Sequence, residues 1–180
     1  MTDIAAELAK LHELTGASFS RQVEFIAKMG EFHLVEGEKD IFSAGGEQNK
    51  DYDNQLAAAR KAVSHGYKAI ILPNPKRPRT PDLILIFKNV YKIYDLKTIF
   101  GKSSASNRLA ESIGQCNRIL MNVVSDYDTR LMAADIKHFF EENKRAVEVL
   151  IFKGKKVIVI DRFVATHPQF YRLLKKKYEK

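Results

Sequence analysis

The sequence predicts an α/β (α+β) fold, with an N-terminal helical extension and linker over 1–49 and the main domain over 50–180. Three observations predict it. Apolar residues at Ile4, Leu8, Leu11 and Leu14, then at Phe19, Val23, Ile26 and Met29, recur at helical spacing. From Asp51 onward, helical and extended patterns alternate. Two pairs of short apolar runs, 83–87 with 90–96 and 147–152 with 157–160, are each joined by a short polar link, which is a hairpin signal.

The elements follow in order. Thr15-Gly16-Ala17-Ser18 breaks the opening helical pattern into a pair, and Gly30 closes the second helix. This pair either packs on the main domain or joins a larger partner. The stretch 31–49 is polar and carries Gly37, Gly45 and Gly46, with Phe32 to Val35 as a short strand. Residues 51–65 form the best helix of the chain. Asp51 is a fitting N-cap, the alanines at 57, 58, 59 and 62 are strong helix formers, and Gly66 supplies the stop. Leu56, Ala59 and Val63 are its expected apolar face. Tyr67 to Leu72 reads as a strand ended by Pro73, and 74–79 as a stiff basic loop. After the hairpin of 80–98 comes a polar flap, then a helix over 107–116 with Leu109 and Ile113 on one face. A buried strand over 118–124, an amphipathic helix over 131–143 and the second hairpin follow. A final helix ends in Lys175-Lys176-Lys177, which adds to the basic field.

Composition narrows the function classes. At 180 residues the chain is long enough for one well-packed domain. No apolar run approaches a membrane span, and Met1 to Lys10 lacks the basic and apolar regions of a secretory signal. Cys116 is the single cysteine, which excludes an intramolecular disulfide and a multi-cysteine zinc site. The net charge of +8 favours a polyanionic partner.

The chemistry concentrates between Thr80 and Thr98. Side chains alternate along a strand, so Asp95 and Lys97 share a face. Asp82 opens the neighbouring strand, and antiparallel pairing across the Lys88-Asn89 turn brings it towards Asp95. Two carboxylates suit Mg²⁺ or Mn²⁺, with water and phosphate completing the coordination. Lys97 can orient the attacking water or offset charge on phosphoryl oxygens. A strand-end salt bridge is the competing reading of the same residues. Lys76, Arg77 and Arg79 in the basic loop either contact phosphates or form a solvated loop.

Pro81-Asp82 followed by Asp95-x-Lys97 resembles the signature of the PD-(D/E)xK nuclease superfamily. The order of motifs from Asp51 to Ile160 resembles, more narrowly, the nuclease toxin domains of bacterial contact-dependent growth inhibition effectors, the C-terminal tRNase-like domains of CdiA proteins among them. A helix ending in Gly66-Tyr67 leads to a strand ending in Leu72-Pro73. Pro81-Asp82, Asp95-x-Lys97, a Ser/Asn-rich link, Gln115 before a short strand, and a closing hairpin complete the order. The resemblance implies a restriction-endonuclease-like core, a mixed central sheet flanked by helices. It implies a metal-dependent endonuclease in which Asp82 and Asp95 bind the metal and Lys97 serves the chemical step. Gln115 and Arg118 would assist, the first by holding water or substrate and the second by touching phosphate; helix-end hydrogen bonding and a surface charge are their alternatives. Such nucleases usually carry a glutamate on the first core helix. Here Asp51 or Asn54 would replace it as the third metal ligand, or Glu47 would reach in from just before the helix. The implied partners are tRNA or DNA and a cognate immunity protein, with delivery inside a larger secreted effector and action in the cytoplasm. A non-catalytic nucleic-acid-binding or structural domain of a phage or mobile-element protein, retaining the same fold, is the alternative.

Overall fold

The computed structural model describes residues 3–45, 50–73, 80–101, 104–112 and 116–179. The chain is mixed α/β and divides into two compact units, Met1–Tyr94 and Asp95–Lys180.

The first unit opens with α1 (Ile4–Ala9), a 3₁₀ turn (Lys10–Glu13) and α2 (Gly16–Ala27). Asp3 caps α1 by accepting the Ala5 N–H at 3.0 Å. The two helices are joined by Glu7, whose carboxylate accepts from Gln22 at 2.7 Å and from Lys10 at 2.8 Å. Next come β1 (His33–Leu34), β2 (Ile41–Ser43), α3 (Tyr52–Ser64), β3 (Lys68–Ile71), β4 (Leu83–Phe87) and the start of β5 (Val90–Ile99). β2 and β3 are parallel, and α3 is the crossover such a pair requires. The remaining neighbours, β1 with β2, β3 with β4 and β4 with β5, are antiparallel. Leu8, Leu11, Val23 and Ile26 share one core with Ile70, Leu72, Ile84 and Ile93, so the opening helices are packed on these strands. The β4–β5 turn places Lys88 at φ 49° and Asn89 at φ 62°. Two positive-φ residues match the twist of a tight hairpin.

The second unit contains the rest of β5, α4 (Ser104–Ala110), β6 (Arg118–Val123), α5 (Thr129–Glu142), β7 (Glu148–Lys153), β8 (Lys156–Asp161), α6 (Arg162–Ala165) and α7 (Phe170–Tyr178). β5, β6 and β7 are parallel, while β8 returns antiparallel through the turn at Gly154. Strands covered on both faces read as continuous apolar runs, and β6 and β7 do so. Ile119, Met121, Val149 and Ile151 pack with Ile136, Phe139 and Phe140 of α5 and with Leu174 and Tyr178 of α7. Arg162 closes the C-terminus of α5. Its guanidinium donates to the carbonyls of Phe140 and Asn143 at 2.6 Å and of Ala146 at 3.1 Å, and the Phe140 carbonyl is one that a helix end leaves without an intrahelical partner.

Several expectations need correction. The opening helix is split by the 3₁₀ turn rather than running on to Leu14. β2 and α6 are additional elements. The helix expected over 107–116 is α4, which starts at Ser104 and ends at Ala110, and 113–115 lie outside the described residues. α3 buries Gln55, Ala58, Ala59 and Ala62 rather than a face built on Leu56 and Val63. Small alanines let the helix backbone approach closely, and that tilts the buried stripe towards them.

Candidate functional site

Asp82 belongs to the first unit and is fixed by its backbone on both sides. Its N–H donates to the Tyr94 carbonyl and its own carbonyl accepts from the Leu72 N–H, both at 2.9 Å. These bonds continue the ladders of β4 with β5 and β3, in which Leu83 stands opposite Tyr94 and Ile71. The side chain is held from α3, where Gln55 Nε2 donates to Asp82 Oδ1 at 3.0 Å. Gln55 is 2% exposed, so a polar side chain is deliberately housed among the buried alanines of that helix.

Asp95 opens the second unit, one peptide bond beyond Tyr94. Its carboxylate is 8% exposed, although it interrupts a strand otherwise rich in apolar groups. Two donors meet at Oδ2: the Ser112 hydroxyl at 2.8 Å and the Lys97 ammonium at 3.2 Å. Lys97 shares the strand face of Asp95, as alternation requires. Its ammonium also lies 3.9 Å from Glu111 Oε2. Ser112 is fully buried, and Asp95 therefore keeps a hydrogen-bond donor besides its ion pair. Cys116 is buried in the same unit. Burial pushes its thiol up to about 12, with the Asp95 charge adding to the shift, so it is protonated and unreactive at neutral pH.

The other expected residues are dispersed. Asp51 is exposed at the N-cap of α3 and makes no side-chain cap bond there, while Asn54 is half-buried. Arg118 stands opposite Glu148 in the β6–β7 register, and its Nε lies 3.5 Å from Glu148 Oε2, so its charge is engaged within the sheet. Lys76, Arg77, Arg79, Gln115 and Glu47 lie outside the described residues. Gln55, Glu111 and Ser112 were not singled out as functional from sequence. Gln55 follows Asp51 by one helical turn, and that spacing is the signal that could have found it. Ser112 has none, being one more small polar residue in a polar stretch.

Asp82 and Asp95 each present a carboxylate within their own unit. Carboxylate oxygens are the ligand type that Mg²⁺ or Mn²⁺ prefers, and these ions commonly bind through one or two carboxylates plus substrate oxygens. Among the described residues there is no group of three or more His, Cys, Asp or Glu side chains placed to hold a metal. Nor, among them, is any helix long and apolar enough to cross a membrane.

No protein-family model matches the chain, and no curated protein matches it. Among solved structures it is similar to the CdiA-CT/CdiI toxin and immunity complex from Burkholderia pseudomallei, with 15% identity and a TM-score of 0.46 over 66% of this chain and 98% of that chain.

Proposed function

We propose that the protein is a metal-dependent endonuclease that hydrolyses phosphodiester bonds, and that it acts as a nuclease toxin domain. The observation that carries this reading is the Asp95 carboxylate, buried on a strand and bonded at one oxygen by both Lys97 and Ser112. A buried charge is costly unless paired, and structures retain such groups where they serve a site. Asp82 supplies a second carboxylate from a backbone position locked between two strands.

In this reading Asp82 and Asp95 would hold Mg²⁺ or Mn²⁺. When bound, the ion lowers the pKa of water and offsets phosphoryl charge. Gln55 keeps the Asp82 carboxylate oriented, and Ser112 does the same for Asp95. Lys97 would position the attacking water or offset the charge developing on the phosphoryl oxygens. The residues of the basic loop, Lys76, Arg77 and Arg79, would meet the nucleic-acid backbone. The resemblance to contact-dependent inhibition toxins would make tRNA or DNA the substrate and an immunity protein the partner.

A second reading has one observation in its favour. The α3 residue that reaches Asp82 is the neutral Gln55, where nucleases of this pattern usually carry an acid. A non-catalytic nucleic-acid-binding domain would keep Asp95–Lys97 as an internal ion pair. The test is incubation of the pure protein with tRNA, single-stranded DNA and duplex DNA in Mg²⁺, Mn²⁺ or EDTA. Cleavage is expected with metal only, and is expected to vanish in Asp82→Ala, Asp95→Ala and Lys97→Ala proteins that retain their circular dichroism spectrum. Binding without cleavage under every condition would favour the second reading.

A further inference from the structure

Charge is distributed unevenly along the chain. Asp95–Lys180 holds 17 of the 30 Lys and Arg residues but 10 of the 22 Asp and Glu residues, so it carries +7 of the net +8. Much of that excess converges on α7. Phe170, Leu174 and Tyr178 bury one stripe of the helix. At 100° per residue, Arg172, Lys175 and Lys176 fall on the opposite stripe, and all three are exposed. Beside them, Tyr171 lies under the Arg130 guanidinium of α5 at 5.1 Å and near the Lys175 ammonium at 5.9 Å.

Two structural explanations for these cations fall short. Basic residues in a last turn can answer the helix dipole. Here Lys156 already donates to the Tyr178 carbonyl at 2.8 Å, and Lys153 sits 3.6 Å from the centre of the Tyr178 ring. Arg172 and Arg130 are not in that last turn at all. Internal ion pairing is the other explanation. The acid nearest in sequence, Glu179, accepts instead from the Thr129 hydroxyl at 2.9 Å.

We propose that the outer stripe of α7, with Arg130 and Tyr171 of the same unit, is a docking face for the phosphate backbone of nucleic acid, additional to the Asp95–Lys97 cluster. Phosphates are met by Arg172, Lys175 and Lys176, and the Tyr171 ring holds Arg130 and Lys175 beside them. A membrane surface does not fit, because an interfacial helix inserts its apolar face and that of α7 is spent on the core. The inference rests on the nucleic-acid part of the reading above and not on hydrolysis.

The test is fluorescence anisotropy of labelled duplex DNA and labelled tRNA, in EDTA so that metal-dependent cleavage is off, across a salt series. The full chain is compared with an R172Q/K175Q/K176Q triple and with an R21Q/K39Q/K68Q triple that removes the same charge from the first unit. The α7 triple is expected to weaken binding at least about tenfold and to flatten the duplex salt slope by about 2–3, close to 0.9 per lost phosphate contact. The first-unit triple should change affinity less than about threefold, since it removes only diffuse charge. Equal losses in the two triples, or none in either, would overturn the docking face. So would wild-type protein that floats with anionic vesicles but binds neither nucleic acid. If wild type binds and the α7 triple does not, yet nothing is cleaved in Mg²⁺ or Mn²⁺, the face stands and the nuclease reading fails. Cleavage with unchanged binding in the α7 triple gives the converse.

Discussion

The two units hold their acids by different means. In Met1–Tyr94, Asp82 is fixed through its backbone, and its half-exposed carboxylate meets the neutral amide of Gln55. In Asp95–Lys180, Asp95 is buried and meets the charged Lys97 together with Ser112. The first arrangement orients a carboxylate with a neutral amide. The second compensates a charge that burial would otherwise make prohibitive. The units also differ in overall charge, near neutral in the first and strongly basic in the second. Orientation is thus concentrated in one unit and electrostatic attraction in the other.

Breaking each holder in turn sharpens that contrast. Lys97→Ala should have the largest effect on stability, because among the described residues it leaves Asp95 buried with the Ser112 hydroxyl as its side-chain partner. A loss of about 3 kcal/mol is expected in EDTA, read from urea unfolding. Gly66→Val should cost about 1–3 kcal/mol. Gly66 sits at φ 90° at the end of α3, where a β-branched residue is strained, and an added Cβ would come within 3.4 Å of Phe87. A melting temperature equal to wild type would remove backbone strain from the account of that helix end. Gln55→Ala should cost about 1 kcal/mol, the net value of a neutral hydrogen bond. A loss as large as that of Lys97→Ala would erase the distinction between an oriented and a compensated acid.

The smallest effect concerns Asp135, whose carboxylate accepts the Tyr127 hydroxyl at 2.7 Å. Burial raises its pKa from the ordinary value, against the opposing pull of Tyr127 and His138. A raised folded-state pKa gives a stabilisation present below the unfolded pKa and lost as pH rises through the folded one. Asp135→Asn should therefore melt at or slightly above wild type at neutral pH, with the advantage gone once both are in acid. An advantage that persists in acid would mean that packing, not ionisation, sets the difference.

The sequence made the elements nearest the carboxylates legible because each rests on local chemistry. The alanines and Gly66 define α3, the apolar runs around Lys88-Asn89 define β4 and β5, and alternation puts Asp95 and Lys97 together. What stayed hidden depends on tertiary context. β2 is three residues with a single buried apolar group, Ile41, and exists through its parallel pairing with β3. α6 is four residues set by the Asp161 cap, which accepts from Val164 at 2.8 Å. Gln55 and Ser112 are neutral and common, so only their placement against Asp82 and Asp95 reveals them. Attention to acids alone pointed to Asp51, which is exposed one helical turn before Gln55.

The central claim, that Asp82 and Asp95 serve one divalent ion while Lys97 serves the chemistry, is tested most directly by Mn²⁺ titration followed through the melting temperature. An ion bound only by the native state raises that temperature as its concentration passes the Kd. Wild type should be stabilised, Asp82→Asn and Asp95→Asn should show no response, and Lys97→Ala should respond and recover part of its deficit as the metal replaces the missing ammonium. A wild-type melting temperature indifferent to Mn²⁺, or an equal rise in all four proteins, would contradict the claim.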